Sequence, residues 1–592
     1  MTSVSNLPCP PFPRAGQQRS YWRAPNSPSA MALAISQAAR QHDGLILAIT
    51  RDTHSASALE NDLRIVAGDL PLLHFPDWET LPYDLFSPHP DIVSQRIAAL
   101  YRLPSINRGI LVVPVASLMQ RLSPPDWIAG NVLDLHKGQK LDLDQEKRRL
   151  EASGYRHVPQ VNDPGDFAVR GALLDLYPMG SDVPYRIELF DDEIDSLRSF
   201  DPETQRSDHP VDSVRLLPAR EFPLDAAGTK KARQNLSEQF EFDARRCTIY
   251  QDLKEGVAPN GIEYYLPLFF DQTASLFEHL PTNSLIISGV GMETSSENFW
   301  QQTSERWEQR RHDLERPILS PAQLFLSPDE LRAQCNQRPR IEMCGELHPQ
   351  YPKAIAIAEQ IVPSLPWTQK NEVPGAALHA FLDNYPGRVL LAADSAGRRE
   401  ALIELLNAAN LPFHQVSDWP AFLRDGEHKL SITVATFEAG FAIDSPMLTV
   451  LTERQLFPER AEQSRRRKRV GRDPESIIRD LGEIAVGAPI VHEDHGVGRY
   501  QGLVSLDSGG ITGEYLCITY AKGDKLYVPV SQLQLVSRYS GASADHAPLH
   551  SLGGEAWGKA KRKAAEKIRD VAAELLEIQA RRHARQGMAL PI

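Results

Sequence analysis

A chain of 592 residues exceeds what one hydrophobic core supports and predicts about three to five domains. Its 42% apolar and 24% charged residues exclude a disordered or membrane-spanning class, and a net charge of −13 excludes a basic field drawing the whole chain onto nucleic acid. Five cysteines, Cys9, Cys247, Cys335, Cys344 and Cys517, form no C-x-x-C pair; they exclude a disulfide framework and a cysteine zinc site and suit a reducing, cytoplasmic setting.

The segment MTSVSNLPCPPFPRAGQQRS is polar and Pro-rich and lacks the apolar core of a signal peptide, which predicts a flexible leader over 1–24. From there the elements alternate. SAMALAISQAARQ predicts a helix, GLILAIT a buried strand, and ILVVPVASLMQRL a strand running into a helix. This is the signature of a parallel α/β layer. Near Gly130 the period changes to two, in GDFAVRGALLDLYP and YRIELFDDEIDSLRSFDP, and predicts an antiparallel insertion. NSLIISGV restores the α/β character, so the insertion interrupts the first domain.

A Pro-rich connection around 345–375 precedes GRVLLAADSAGRREALIELLNAA, SITVATFEAGFAI and MLTVLTERQLF, which predict a small α/β domain. RAEQSRRRKRVGRDPESII reads as an exposed linker; its basic run Arg465–Arg469 suits either phosphates or a solvated surface. From Gly487 to Tyr539, short strands with turns at HGVG, DSGG and KGDK predict a small β barrel. The tail from Gly554 is a long helix with Ile568, Val571, Leu575 and Ile578 on one stripe.

No catalytic motif emerges. A phosphate loop before the first helix needs glycines and a lysine, whereas YWRAPNSPSA has neither and carries two prolines, which lack N–H donors. IELFDDE looks like a magnesium-binding acidic pair, but Glu188 lies inside a strand and no phosphate loop accompanies it. His492 and His495 in HEDH are expected on opposite strand faces, which disfavours joint metal ligation.

Four long stretches, FPDWETLPYD, GDFAVRGALLDLYPMGSDVPYRIELFDDEIDSLRSFDP, HEDHGVGRYQGL and GGITGEYLCITYAKGDKLYVPVSQLQLVSRY, resemble the bacterial transcription-repair coupling factor (Mfd) family in order and spacing. The resemblance covers nearly the whole chain and corresponds to the N-terminal half. It implies a multidomain α/β architecture. A degenerate UvrB-like (RecA-like) parallel-sheet domain over 25–132 and 219–355 is interrupted by an antiparallel α+β, UvrA-binding domain at 133–218. A linker and small α/β domain follow at 356–457, then a basic linker at 458–482. A Tudor/SH3-like, CarD-type RNA polymerase interaction domain occupies 483–546. A long C-terminal helix at 547–592 leads toward a translocase motor that the chain lacks. ATP, magnesium and double-stranded DNA are implied for that motor. For this chain the implied partners are UvrA and the RNA polymerase β subunit, with no membrane, no cofactor, no metal and no catalytic residue.

The resemblance also sharpens the residue-level expectations. The aromatic stretch after Phe75 is too short for a DNA-clamping hairpin, so Trp78, Tyr83 and Phe86 are expected to close the α/β core. In YRIELF, Tyr185, Ile187 and Leu189 share one face, and Arg186, Glu188 and Phe190 the other. That outward set, joined by Arg170, is either a solvated face with one stray aromatic or, by resemblance, the UvrA surface. Leu506, before the DSGG turn, either covers the barrel core or, by resemblance, contacts polymerase with its strand edge. Two other functional readings stay open: a UvrB-like module binding damaged DNA directly, and a scaffold only.

Overall fold

The computed structural model describes residues 7–202, 204–240, 244–313, 315–345, 354–357, 359–367, 373–457, 486–492, 495–508, 511–529, 536–538 and 549. The chain divides into two compact units, 1–458 and 459–592, each described by itself. The basic run and the tail helix expected from the sequence lie outside the described residues.

The first unit opens with β1 (Arg19–Arg23), α1 (Pro28–Gln41), β2 (Leu45–Thr50), α2 (Thr53–Val66), β3 (Leu72–His74), α3 (Pro90–Arg102) and β4 (Gly109–Pro114). The inserted segment supplies β5 (Leu133–His136), β6 (Arg156–His157), β7 (Asp166–Arg170), β8 (Leu173–Leu176), β9 (Tyr185–Phe190), β10 (Glu193–Phe200), β11 (Ser207–Pro210) and β12 (Ser213–Leu216). The chain returns through β13 (Leu285–Ser288) and β14 (Arg340–Cys344) to complete a parallel sheet of order β1-β14-β13-β2-β4-β3. Every residue of LILAIT and GILVVP is buried, as central parallel strands covered on both faces require. Ser27 caps α1 and Pro28 occupies its first turn, where a missing N–H costs nothing.

The leader expected over 1–24 is corrected. Leu7 and Trp22 are buried, and β1 pairs with β14 from Arg19↔Arg340 to Arg23↔Cys344. RSYWR carries no apolar run of its own. Its order comes from a strand more than 300 residues away, which local periodicity does not report.

The insertion forms a six-stranded sheet, β11-β10-β9-β8-β7-β6, antiparallel except at β6–β7, beside the pair β12-β5. Its apolar face, including Phe167, Leu174, Ile187, Leu189 and Leu197, packs in one cluster with Val93 and Ile97 of α3. Between β12 and β13 the chain is helical, and its side chains build a separate aromatic core with Tyr264, Tyr265 and Phe269. Trp78 and Tyr83 are buried in this core, not against the parallel sheet. Phe86 departs from expectation and is 41% exposed. Ser87 bonds to Glu263 and to the Gly261 amide, holding this stretch along the helical segment while Phe86 stays outside.

The small domain contributes β15 (Glu359–Gln360), β16 (Arg388–Ala393), β17 (His414–Gln415), β18 (Leu430–Val434), β19 (Phe441–Asp444) and β20 (Met447–Thr452), in the order β15-β19-β20-β16-β18-β17. Trp419, Phe422, Phe437 and Phe441 share one core with α1 and α2. That explains why α1 is buried from Ser29 to Ala39 except at Met31: the parallel sheet and the small domain both cover it.

Asp62 of α2 is buried at this junction. Its carboxylate accepts from Ser29 Oγ at 2.8 Å and from the Glu438 amide at 2.9 Å. Burial pushes its pKa from 3.8 up to about 6, outweighing those two bonds. A carboxyl with a raised folded pKa favours the protonated fold. Its stabilising contribution is complete below pH 3.8 and lost as pH rises through about 6. Asp62→Asn is expected to remove this part of the pH dependence and to raise the unfolding midpoint at neutral pH. Superimposable pH profiles of parent and variant, by thermal melting, would refute it.

The second unit is an antiparallel sheet of order β24-β23-β22-β21-β25, built from β21 (Pro489–His492), β22 (Gly496–Ser508), β23 (Ile511–Thr519), β24 (Lys525–Pro529) and β25 (Val536–Arg538). Ile490, Val497, Leu516, Ile518, Val528 and Val536 are buried in it. His492 and His495 do not diverge as expected. β21 ends at His492, which pairs with Gly496, and the two rings lie 4.7 Å apart between centroids.

Candidate partner-binding surfaces

The outward face of the insertion is built from cross-strand rows. Strand alternation sends Ile187 and Leu189 inward, which leaves Arg186, Glu188 and Phe190 on the opposite face. Register then aligns Arg170, Leu173, Glu188 and Ser196 in one row, and Ala168, Asp175, Arg186 and Arg198 in the next. Phe190 ends β9 before the left-handed Asp191 and is 80% exposed. Glu188 is exposed and accepts from Ser196 Oγ at 3.3 Å. Arg170 is 53% exposed, with one weak contact to Asp175 at 3.4 Å.

Arg186 differs from its three companions. Its side chain is only 21% exposed and forks onto Asp175, with Nε donating at 2.7 Å and Nη2 at 2.9 Å. Nη1 donates to the Gln205 carbonyl and to Ser207 Oγ, and the guanidinium lies 4.9 Å from the Phe200 ring centre. The Asp175 bonds raise the pKa of Arg186 further above its ordinary value. Arg186 therefore pins β9 to β8, and most of its donors are already engaged. Asp175, Leu173 and Arg198 were missed from sequence. The available signal was the same alternation applied to LLDL and EIDSLRSF, which puts an acid, a leucine and an arginine on the Phe190 face.

The stretch that closes at Arg96 is structural. Arg96 is fully buried; Nε donates to Glu221 Oε1 at 2.6 Å, Nη2 to Oε2 at 3.3 Å and Nη1 to the Pro76 carbonyl at 2.9 Å. The guanidinium lies 4.3 Å from the Phe75 ring centre and 5.0 Å from that of Trp78. The aromatics cage an ion pair that ties the α/β segment before the insertion to the chain just after it.

The N-terminus of α1, where a phosphate loop would hold its anion, carries a carboxylate of the same chain. Glu359 of β15 accepts from the Asn26 amide at 2.8 Å and from the Ser27 amide at 3.0 Å. A helix N-terminus concentrates unpaired N–H groups and positive potential, and Glu359 answers both. Because β15 pairs with β19, the contact joins the α/β domain to the small sheet. Glu359→Ala is expected to lower stability by about 1 kcal/mol, the scale of a lost cap. An unchanged urea midpoint would show that this seat contributes nothing.

In the second unit, Leu506 lies in β22 opposite Gly513; its side chain falls outside the described residues. The pairing Ser508↔Ile511 leaves a two-residue connection, so Leu506 sits two positions from the end of the hairpin ladder. Among the described residues, no helix is long and apolar enough to cross a membrane.

Comparison with known proteins places names beside these surfaces. The UvrB interaction domain matches residues 133–222, the D3 domain of MFD matches 381–456, and the CarD-like/TRCF RID domain matches 484–540. The chain is 44% identical over 565 residues to the transcription-repair-coupling factor of Haemophilus influenzae, covering 95% of this chain and 49% of that protein. Identity to the Escherichia coli factor is 42% over 577 residues, 97% of this chain and 50% of that protein. Identity to the Bacillus subtilis factor is 28% over 582 residues, 95% and 49%. The chain thus spans about half the length of the curated relatives it matches.

Proposed function

On the premise that the chain is homologous along nearly its whole length to the N-terminal region of the transcription-repair-coupling factors, we propose that it is the adaptor half of such a factor. The insertion recruits UvrA, and the five-stranded sheet of the second unit engages the RNA polymerase β subunit. ATP-driven movement along double-stranded DNA, which displaces stalled polymerase, is assigned to the part of the relatives that this chain does not span. The chain then carries no catalytic residue, metal or nucleotide of its own for this task.

The observation that carries the reading is Phe190, 80% exposed on the same sheet face as Glu188 and Arg170, within the UvrB interaction match. An exposed aromatic flanked by ionised groups has the make-up of an interface hot spot. Arg170, Glu188 and Phe190 form the contact, and Arg186 acts as the residue that holds their strand. The polymerase contact is placed on Leu506 and its strand edge, a position suited to β-strand addition. The α/β domain serves as a nucleotide-free scaffold, a reading supported by Glu359 in the anion seat of α1. The five-stranded sheet is taken as a small barrel, and the tail as the helix leading toward the motor.

Titration calorimetry of the chain against purified UvrA tests the first contact, and against the polymerase β subunit the second. Saturable binding to both is expected. A chain that does not bind UvrA would make the insertion a scaffold, and a tight DNA affinity falling steeply with salt would move its function onto DNA.

A further inference from the structure

The small domain carries no motif legible in sequence, yet its fold brings three metal-ligating side chains together. His414 stands on the edge strand β17, Asp425 follows the short helix Trp419–Arg424, and His428 lies in the turn leading into β18. The parallel pairing His414↔Ser431 sets the first beside the other two. One ligand atom from each of the three lies within 4.8 Å of the others, and this is the grouping of its kind among the described residues.

The arrangement is held by the backbone. Asp425 accepts from the Glu427 amide at 3.1 Å, the His428 amide at 3.4 Å and Ser431 Oγ at 3.4 Å. His428 Nδ1 sits 3.0 and 3.1 Å from its two oxygens. Burial would raise the Asp425 pKa, but the His428 ring and the turn amides outweigh it and hold the group below its ordinary value, as a carboxylate. The His428 Nδ1–carboxylate spacing of 3.0–3.1 Å is close to the edge of a tetrahedral zinc site, so a cation shared by Nδ1 and the carboxylate would replace the hydrogen bond between them. The His414 ring lies parallel to that of His428, 4.1 Å between centroids and 10° between planes. Of the neighbouring cations, Arg388 donates to the Phe422 carbonyl at 2.8 Å and to the Asp425 carbonyl, its charge also acting on the Asp425 side chain, and Lys429 donates to the Tyr385 carbonyl.

We propose that His414, Asp425 and His428 form a site for a divalent transition cation of the zinc type, which clips the edge strand β17 to the turn before β18. Tetrahedral zinc with Zn–N near 2.0–2.1 Å places its ligand atoms about 3.3 Å apart. Rotation of the exposed His414 ring closes the remaining gap. Two imidazoles select zinc, nickel or copper over magnesium and calcium, which take oxygen ligands. Three protein donors leave a fourth position toward solvent. The site goes beyond the adaptor reading and stands independently of it.

The test is calorimetric titration of the full chain with zinc chloride in a non-chelating buffer, alongside His414→Gln, His428→Gln and the double variant. With 18 histidines and five cysteines, the chain has background capacity, so the difference between parent and variant is the readout. Each single variant is expected to weaken the tightest binding by about 10-fold or more. Magnesium chloride should neither bind nor compete. Cobalt(II) should give tetrahedral d–d absorption in the parent that is missing from the double variant. Zinc should raise the melting temperature of the parent and not that of His414→Gln, which leaves the bonds within the Asp425 turn intact. A parent without zinc binding, or a double variant with the parent's isotherm, overturns the proposal.

Discussion

Phe190→Ala is expected to weaken binding to UvrA by about 2 kcal/mol or more, roughly 30-fold, without change in the melting temperature of the chain. The side chain is 80% exposed at the end of β9, so its removal leaves no cavity. Its apolar area contributes only when a partner covers it. Arg170→Ala is expected to act in the same direction with a smaller effect, because that guanidinium is half exposed and its contact with Asp175 is long. Arg186→Ala is the wrong probe for this surface. It would strand the buried Asp175 carboxylate and lose the bonds to Gln205 and Ser207, so a loss of binding would follow from a damaged sheet. Calorimetry with Phe190→Ala and Arg170→Ala, each with a matched melting curve, separates contact from fold. Unchanged affinity in both variants would move the UvrA site off this face.

Arg96→Ala is expected to destabilise the first unit by about 3–5 kcal/mol, the cost of removing one member of a buried ion pair. Glu221 has almost no access to water and would be left without the guanidinium that neutralises it. The Pro76 carbonyl would lose a donor, and Phe75 and Trp78 a stacked partner. Glu221→Gln, which keeps an acceptor at the same position, should cost less than Arg96→Ala. Trp78 reports the change directly, since its ring lies 5.0 Å from the guanidinium. Urea unfolding followed by tryptophan fluorescence measures both variants. A loss below about 1 kcal/mol, the range of an ordinary surface substitution, would show that the cage is not a keystone of the domain.

Both predictions bear on how the proposed adaptor is built. The proposed UvrA contact needs an exposed residue on a sheet rigid enough to hold it in place, and Arg186–Asp175 and Arg96–Glu221 supply that rigidity at two levels. The first joins neighbouring strands of the insertion; the second ties the α/β segment before the insertion to the chain just after it. The small domain is fastened to α1 and α2 by an aromatic core and by Asp62 and Glu359.

What could be read from sequence follows from the range of each interaction. Period-two alternation in YRIELF assigned Phe190 to the open face because strand geometry is local: the neighbours decide which way a side chain points. Continuous apolar runs mark β2 and β4, and the missing glycines and lysine of YWRAPNSPSA argue against a phosphate loop from the sequence alone. The tertiary structure alone decided the rest. β1 became a strand through β14, not through its own residues. Arg186 became a strap because register set Asp175 opposite it. Phe86 came out of the core, the anion seat of α1 was filled by Glu359, and His414, Asp425 and His428 met across a parallel pair. These are contacts between residues distant in sequence or split between elements. A charge or imidazole has no periodicity to announce its partner; only the packing that brings the two together determines whether it is a site, a strap or a solvated side chain.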